Sequence, residues 1–424
     1  MSQTSTPTAV RWRILALLVL ASFISYVLRY NMSTAGPAIM AELALTELQF
    51  GWILAAFSIG YTLCQFPGGL LVDAGGARRT LTVLMALWAM LTVLTGLVPD
   101  GAGALIALIG VRFLVGVAHA PIYPATGGVV ERWFPIGSWA LPNGLSSAGL
   151  TLGTAATAPL LGVLLAAYGW RTAFMLLAPI GLLGAALWWW YLRDTPAQHP
   201  HSNAAEVALI GADRPQPAAA VGEAPAWRRV LGNRDVLLLS LSYFCMNYVF
   251  YQMFNWVYYY LATVRGFDPA QAGWATSLQW ILAAVGATLG GFACDWLSRR
   301  RGLAWGCRVP AIAGLCASAV CLAVGAVADS AALAVTAIAA SFFCNQLAES
   351  AYWAAAIGIG NRHAAAACGV LNTGGNAVGF VNALLVPVIA STLGWTAAVA
   401  SGALFALVGA LLWLFLRPER AMAA

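Results

Sequence analysis

The side chains with the most chemistry in this chain stand in apolar surroundings. Arg29 and Arg112 lie inside long hydrophobic runs, and Glu349 is the one acid that reads as mid-run. An arginine left in hydrocarbon costs at least about 2.5–3.5 kcal/mol on insertion scales, so its presence needs a reason. A guanidinium fork matches a carboxylate with two hydrogen bonds at once, the chemistry that capture of an organic anion requires. Ser22, Tyr26, Arg29 and Ser33 fall at i, i+4, i+7 and i+11, one face of a helix. Arg112, Gly116, His119 and Tyr123 repeat that spacing. In a lipid-embedded helix, a continuous polar face looks inward. Asn247, Tyr251 and Asn255 make a third stripe, and Asn372 and Asn376 a fourth. Together they supply hydroxyls and amides suited to a polyhydroxylated or carboxylated ligand.

The candidate substrate-binding set is therefore Tyr26, Arg29, Arg112, Tyr123, Asn247, Tyr251, Asn255, Asn372 and Asn376. His119 and Glu349 are the candidate proton carriers, because imidazole titrates near neutral pH and a carboxyl can do so when buried. Structural roles compete at several of these positions. Arg112 is nearer the end of its run, where snorkelling is an alternative. Asn247 and Asn255 also suit hydrogen bonds between helices. Tyr258, Tyr259 and Tyr260, at the end of their run, read as packing plus the interfacial aromatic belt.

The elements that carry these residues follow from composition. The chain has 424 residues, 61% hydrophobic and 8% charged, with a mean hydropathy of +0.80. A soluble domain carries about a quarter charged residues, so this chain cannot cover a water-facing surface and reads as a polytopic membrane protein. Apolar runs occur near 14–35, 47–71, 80–98, 104–130, 138–167, 172–192, 235–264, 271–297, 303–327, 331–358, 364–391 and 395–416. Each far exceeds the length of a barrel strand and lacks alternation, so the expected fold is all-α with twelve transmembrane helices. Residues 1–192 form an N-terminal six-helix half, 193–233 a linker and 234–424 a C-terminal six-helix half. The linker contains Pro196, Pro200, Pro215, Pro217 and Pro225 with a run of alanines, and reads as poorly ordered. All 21 basic residues are arginine. If the N-terminus is inside, 17 of these 21 arginines fall on the cytoplasmic side, two opposite (Arg171 and Arg265) and two within spans. That asymmetry places both termini in the cytoplasm, and the expected location is a bacterial inner membrane. The net charge of +6 is then topology, and a nucleic-acid partner is not expected.

The halves repeat. Gly51-Trp52, Gly69, Asp73 and Arg78-Arg79 recur 222 residues later as Gly273-Trp274, Gly291, Asp295 and Arg300-Arg301. Gly144, Gly149 and Gly169-Trp170 recur 225 residues later as Gly369, Gly374 and Gly394-Trp395. Two parallel six-span halves are the architecture of a rocking transporter.

The segment from Gly69 through Asp73 and Gly76 to Arg78-Arg79, with its second copy, resembles the signature loop of the major facilitator superfamily. Asp73, Arg78, Arg79, Asp295, Arg300 and Arg301 are accordingly candidate gating residues. Tyr26-Val-Leu-Arg29-Tyr-Asn31-Met-Ser33, and Arg112 to Pro121 followed by Pro124 and Trp133-Phe134-Pro135, resemble the anion:cation symporter family. That family includes bacterial sugar-acid transporters, sialin and the vesicular glutamate transporters. The resemblance implies a secondary transporter that moves organic anions, usually carboxylates, with protons. Two family acids are absent here: the position before Arg29 is Leu28, and the position seven after Arg112 is His119. Those acids are the family's usual proton carriers, so an exchanger or facilitator without proton coupling is the alternative.

Enzyme chemistry is not expected. No GxxxxGK[ST] loop occurs, nor HExxH, nor any spaced His/Cys set, so neither cofactor nor metal is implied. The eight cysteines show no paired spacing and read as small buried apolar residues. An exporter of amphipathic drugs would have an apolar cavity, which Arg29 opposes. The expected partners are a small organic anion, protons and the lipid bilayer, with the protein a monomer.

Overall fold

A computed structural model describes residues 6–101, 103–135, 140–211, 230–360 and 364–420. Among them there is no strand, as a chain in hydrocarbon requires when each helix must satisfy its own backbone. The first helices are α1 (Val10–Leu43), α2 (Glu47–Gly75), α3 (Ala77–Gly96), α4 (Ala104–His119), α5 (Ile122–Trp133), α6 (Ala140–Tyr191) and the short α7 (Ala204–Gly211). The second series is α8 (Arg234–Asn255), α9 (Pro269–Arg301), α10 (Leu303–Val327), α11 (Ala331–Leu347), α12 (Glu349–Gly360) and α13 (Ala364–Trp413).

Among the described residues twelve spans result, because α6 and α13 each hold two. Both reverse at a glycine with left-handed backbone, Gly169 (φ 73°) and Gly394 (φ 84°). These are the two members of the repeated Gly-Trp pair, and only glycine enters that region without strain. Conversely, α4 and α5 form one broken span, as do α11 and α12. At the first break Pro121 lacks the N–H that would continue the helix.

The repeat is imperfect at the signature loops. Gly76 (φ 77°) starts α3 directly, so Arg78 and Arg79 open that helix. In the second copy Ser298 stands at the Gly76 position, and α9 runs on through Arg301 until Gly302 (φ 85°) breaks it.

By packing, the chain divides into two compact units. One gathers Met1–Asn31 and Ile59–Ala220, the other Met32–Ser58 and Val221–Ala424. In the first, α1 and α6 touch through backbone: a Cβ added to Gly149 or Gly153 would lie 2.5 Å from the Val19 carbonyl oxygen or 2.4 Å from that of Phe23. In the second, Gly286 and Gly290 let α9 meet α11 equally closely, at 2.3 and 2.2 Å from Phe343 and Leu347 carbonyls. Small residues at such contacts are what brings transmembrane helices together. The largest fully buried rings include Trp88, Trp133, Trp170 and Trp188 in the first unit and Trp256, Trp280 and Trp413 in the second. Side chains pointing outward are strongly apolar, among them Leu63, Ile106, Val163, Val320 and Leu404. A surface of that kind suits lipid and not water.

Tyr258, Tyr259 and Tyr260 are buried, at 3–8% exposure, as packing requires. One expectation is corrected here: the first part of the linker is ordered. Pro196–Gln198 forms a 3-10 turn and α7 follows. Glu206 of α7 is fully buried and caps the start of α1. Its carboxylate accepts from Val10 N (3.3 Å), Arg11 N (3.1 Å), Arg11 Nη1 (3.1 Å) and the Thr8 hydroxyl. Asn203 accepts from Thr8 N at 3.3 Å, and its own N–H donates to Thr8 Oγ1 at 3.2 Å. The free N–H groups of a helix start need acceptors, and α7 supplies them from 195 residues away. Proline and alanine content hid this single acidic contact. Pro215, Pro217 and Pro225 lie outside the described residues.

Candidate functional site

In the first unit, α1, α2, α3, α4 and α5 bring a cationic and aromatic cluster together. Arg29 and Arg112 are each 3% exposed and His119 is 2% exposed. The Arg29 Nη1 donates to the Tyr26 hydroxyl at 3.0 Å, and the Tyr123 hydroxyl donates to the same oxygen at 2.9 Å. The guanidinium carbon stands 5.2 Å from the Tyr26 ring centre and 4.8 Å from that of Tyr61. At this range the rings' negative faces stabilise the cation. The His119 ring stacks on Trp88 (4.5 Å, 27°), with the Tyr26 and Tyr61 rings at 6.2 and 6.0 Å. The two polar helix faces read from spacing thus meet in one place.

Tyr61 and Trp88 were not legible as site residues. Tyr61 lies beside Ser58, Thr62 and Gln65 with nothing to single it out, and Trp88 has the sequence character of core. His119 closes α4 immediately before the Pro121 break, so its ring sits where the helix changes course.

In the second unit, α8 faces α12 and α13. The Tyr243 hydroxyl donates to Glu349 Oε1 at 2.9 Å and Trp353 Nε1 donates to the same oxygen at 2.7 Å. Glu349 is the first residue of α12, where the unpaired N–H groups of a helix start favour a negative charge. It therefore occupies the break of its span, as His119 does in the other half. Asn247 Nδ2 donates to the Tyr243 carbonyl (3.0 Å), and the Tyr251 hydroxyl donates to Asn376 Oδ1 (2.9 Å). Asn376 Nδ2 in turn donates to Asn372 O (2.9 Å) and Oδ1 (3.0 Å). Asn255 Nδ2 donates to Asn382 Oδ1 at 3.3 Å, a bond that ties α8 to α13. Gly375 and Gly379 permit these approaches, since a Cβ there would lie 2.4 and 2.9 Å from the Tyr243 and Tyr251 rings. Tyr243, which joins the asparagine stripe to Glu349, lies one turn before that stripe, where its sequence setting does not distinguish it from core.

The gating candidates divide. The Arg78 guanidinium donates to the Trp189 carbonyl (Nε 2.9 Å, Nη2 2.8 Å) and lies over its ring, while the Arg78 N–H donates to Asp194 Oδ1 at 2.9 Å. Asp194 thereby caps α3, a role no sequence signal suggested. Arg79, Asp295, Arg300 and Arg301 are exposed, and the Asp73 side chain lies outside the described residues. On the opposite side, Arg171 bonds Asp100 and the Val98 carbonyl, and Arg265 bonds the Ala328 (2.9 Å) and Asp329 (3.0 Å) carbonyls. Each clamps the loop that follows a neighbouring helix.

Comparison with known proteins places this geometry in context. Residues 18–380 match the family model of the Major Facilitator Superfamily. The chain is 32% identical over 413 residues to the probable sulfoacetate transporter SauU of Cupriavidus necator, covering 96% of this chain and 94% of that protein. It is 30% identical to the hexuronate transporter of Bacillus subtilis, over 80% of this chain and 78% of that one. A probable galactarate/D-glucarate transporter, GudP, of the same bacterium is 29% identical over 91% of this chain and 87% of its own. Among solved structures, the inward-facing, unoccupied structure of a bacterial homolog of the human lysosomal transporter Spinster superposes with a TM-score of 0.80. Its identity is 17%, with coverage of 96% and 97%. The nucleoside transporter NupG gives 0.70 at 12% identity, covering 95% of this chain and 99% of that one. Those two show the fold alone. The chain is a multi-pass membrane transporter and not an enzyme, and it belongs to the major facilitator superfamily, among its organic-anion transporters.

Proposed function

We propose that this protein carries a small organic anion, a carboxylate such as a sugar acid, across the membrane by alternating access, coupled to protons. The observation that supports this most is Arg29: buried, with one guanidinium nitrogen fixed by Tyr26 and the cation flanked by two tyrosine rings. Fixing one arm of the fork leaves less rotamer freedom to lose when an anion binds. Arg112 assists, and Tyr123 steadies Tyr26. The hydroxyls and amides of Tyr251, Asn247, Asn255, Asn372 and Asn376 recognise the rest of the substrate. His119, Glu349 or both carry the proton, and the Asp73, Arg78, Arg79 loop and its second copy bias closure on the cytoplasmic side. The protein acts as a monomer in a bacterial inner membrane with both termini inside, its six-helix halves rocking about the site. The names of its relatives, transporters of sulfoacetate, hexuronate and galactarate or glucarate, agree with an anionic substrate.

A second reading, an exchanger or facilitator without proton coupling, is favoured by Leu28, a buried apolar residue beside Arg29. Proteoliposomes separate the two. Uptake of sulfoacetate, glucarate or galactonate is measured with and without an inward proton gradient. Gradient-driven accumulation supports coupling, whereas counterflow that ignores the gradient supports the exchanger. The His119→Ala variant is expected to lose accumulation while keeping counterflow; accumulation at the wild-type level would remove His119 as a carrier.

A further inference from the structure

Helices α1 and α2 are each shared between the two units. Met32–Ser58, the end of α1 and the start of α2, packs with the C-terminal helices. What holds it there is specific. Glu47, the first residue of α2, accepts at Oε1 from the Tyr259 hydroxyl (2.8 Å) and from Trp395 Nε1 (3.1 Å). The two donors come from different elements: Tyr259 from the short helix Val257–Tyr259 that follows α8, Trp395 from the residue after the Gly394 reversal in α13. Behind them the rings of Trp256, Tyr259, Tyr260 and Trp395 contact one another at 5.4–6.1 Å, and Phe50 meets Trp256 edge-on at 6.1 Å.

One turn on, Gly51 brings α2 to within 2.4 Å of the Ala383 carbonyl, measured from its Cβ position. Farther along, Ser58 Oγ lies 3.0 Å from the Cβ position of Gly379. Glu47, Gly51 and Ser58 are spaced i, i+4 and i+11, so a single face of α2 makes all three contacts. The glycine and serine contacts are van der Waals fits. The Glu47 pair are hydrogen bonds to a charged group, roughly twice as strong as neutral ones, and they sit at the end of the face, where it would begin to peel.

We propose that Glu47, Tyr259 and Trp395 form a latch that holds the α1–α2 hairpin against the C-terminal helices, and that its release opens the face of the protein opposite the chain termini. This rests on the alternating-access reading above. In that reading residues 32–58 travel with the first six helices, so their packing on the last six breaks and re-forms in every cycle. A carboxylate held by two neutral donors suits such a contact, because water can replace both donors when the hairpin lifts.

Ser58, buried farther down the same face, is the reporter. Ser58→Cys is introduced into a chain whose eight native cysteines are replaced by alanine, reconstituted in proteoliposomes, and exposed to a membrane-impermeant maleimide on the face opposite the termini. With the latch intact, labelling is slow. Loss of one hydrogen bond to a charged group shifts a two-state balance about tenfold. Tyr259→Phe, which removes one of these bonds, is therefore expected to raise the labelling rate about tenfold, and Glu47→Ala, which removes both, about a hundredfold, with Glu47→Asp below Glu47→Ala. Tyr259→Phe removes only a hydroxyl and carries the test if Glu47→Ala does not fold. Rates equal to the parent's in both Glu47→Ala and Tyr259→Phe, with anion uptake retained, overturn the latch. Absence of uptake by the wild-type protein for every anion tried overturns the transport reading instead, and the latch falls with it.

Discussion

Arg29 does not act alone: its guanidinium is positioned by the Tyr26 hydroxyl, which Tyr123 also engages. Arg29→Gln removes both charge and fork and is expected to weaken organic-anion binding about a hundredfold, the sum of two charge-assisted hydrogen bonds of about 1.5 kcal/mol each. Arg29→Lys keeps the charge without the fork and should lose about tenfold. Tyr26→Phe leaves the cation but frees its arm, with an expected loss of up to about tenfold. Isothermal titration of the purified protein with the anion measures all three, and equal affinities across the series would exclude this geometry as the binding one. The arginines, Tyr26, His119 and Tyr123 were legible because polar side chains are rare in these spans and recur at helical spacing. Tyr61 and Trp88 were not, because a ring that flanks a cation and a ring that fills a core look alike in sequence. Tyr243 and Glu47 are not legible in the sequence for a related reason. Each gains its role only from a partner over one hundred positions away.

Among the elements, the clearest departure from expectation is the linker. α7 is short and would not be helical alone, yet it docks because Glu206 and Asn203 satisfy the start of α1. Glu206→Ala leaves the Thr8 hydroxyl and the Val10 and Arg11 amides without that acceptor, at an expected cost of about 1–3 kcal/mol, seen as a lower Tm. An unchanged Tm would mean that the α7 contact is energetically idle. His199, between α6 and α7, is packed edge-on against Trp133 (5.6 Å) and Tyr191 (4.9 Å), and its Nδ1 accepts from the His201 N–H at 3.2 Å. Burial and then the neighbouring His201 hold its pKa below the ordinary histidine value. The folded form therefore disfavours the proton relative to the unfolded one, so this packing contributes its full stability above the unfolded pKa of about 6.5. That contribution falls away as pH drops through the folded pKa. Relative to the intrinsic exchange rate at each pH, amide protection in residues 193–211 is expected to fall between pH 7.5 and pH 5, and His199→Phe should flatten the response. Protection that is independent of pH in the wild type would contradict it. By contrast, the helix count and the Gly-Trp reversals were legible, since length of apolar run and a glycine at a turn are local properties. The breaks at Pro121 and Ala348 were not placed, because the apolar runs continue through both.

At the scale of the whole molecule, low charge set the class and the twofold repeat set the architecture. The repeat holds at Gly169 and Gly394, which adopt the same backbone. It fails at Ser298, whose glycine function moves four residues on to Gly302, so the arginines of the two signature loops end up on opposite sides of a helix boundary. The buried Arg29 and Arg112 lie in the first half of the chain, and Glu349 with the amide stripes in the second. The central claim is that an organic anion passes through this protein by way of Arg29. It is tested most directly by uptake of a labelled sugar acid into proteoliposomes holding equal amounts of wild-type or Arg29→Gln protein. Saturable uptake by the wild type, competed by other organic anions and reduced to background in the variant, is the predicted result. Uptake by the variant at the wild-type rate, or wild-type transport of lipophilic cations in place of anions, would contradict it.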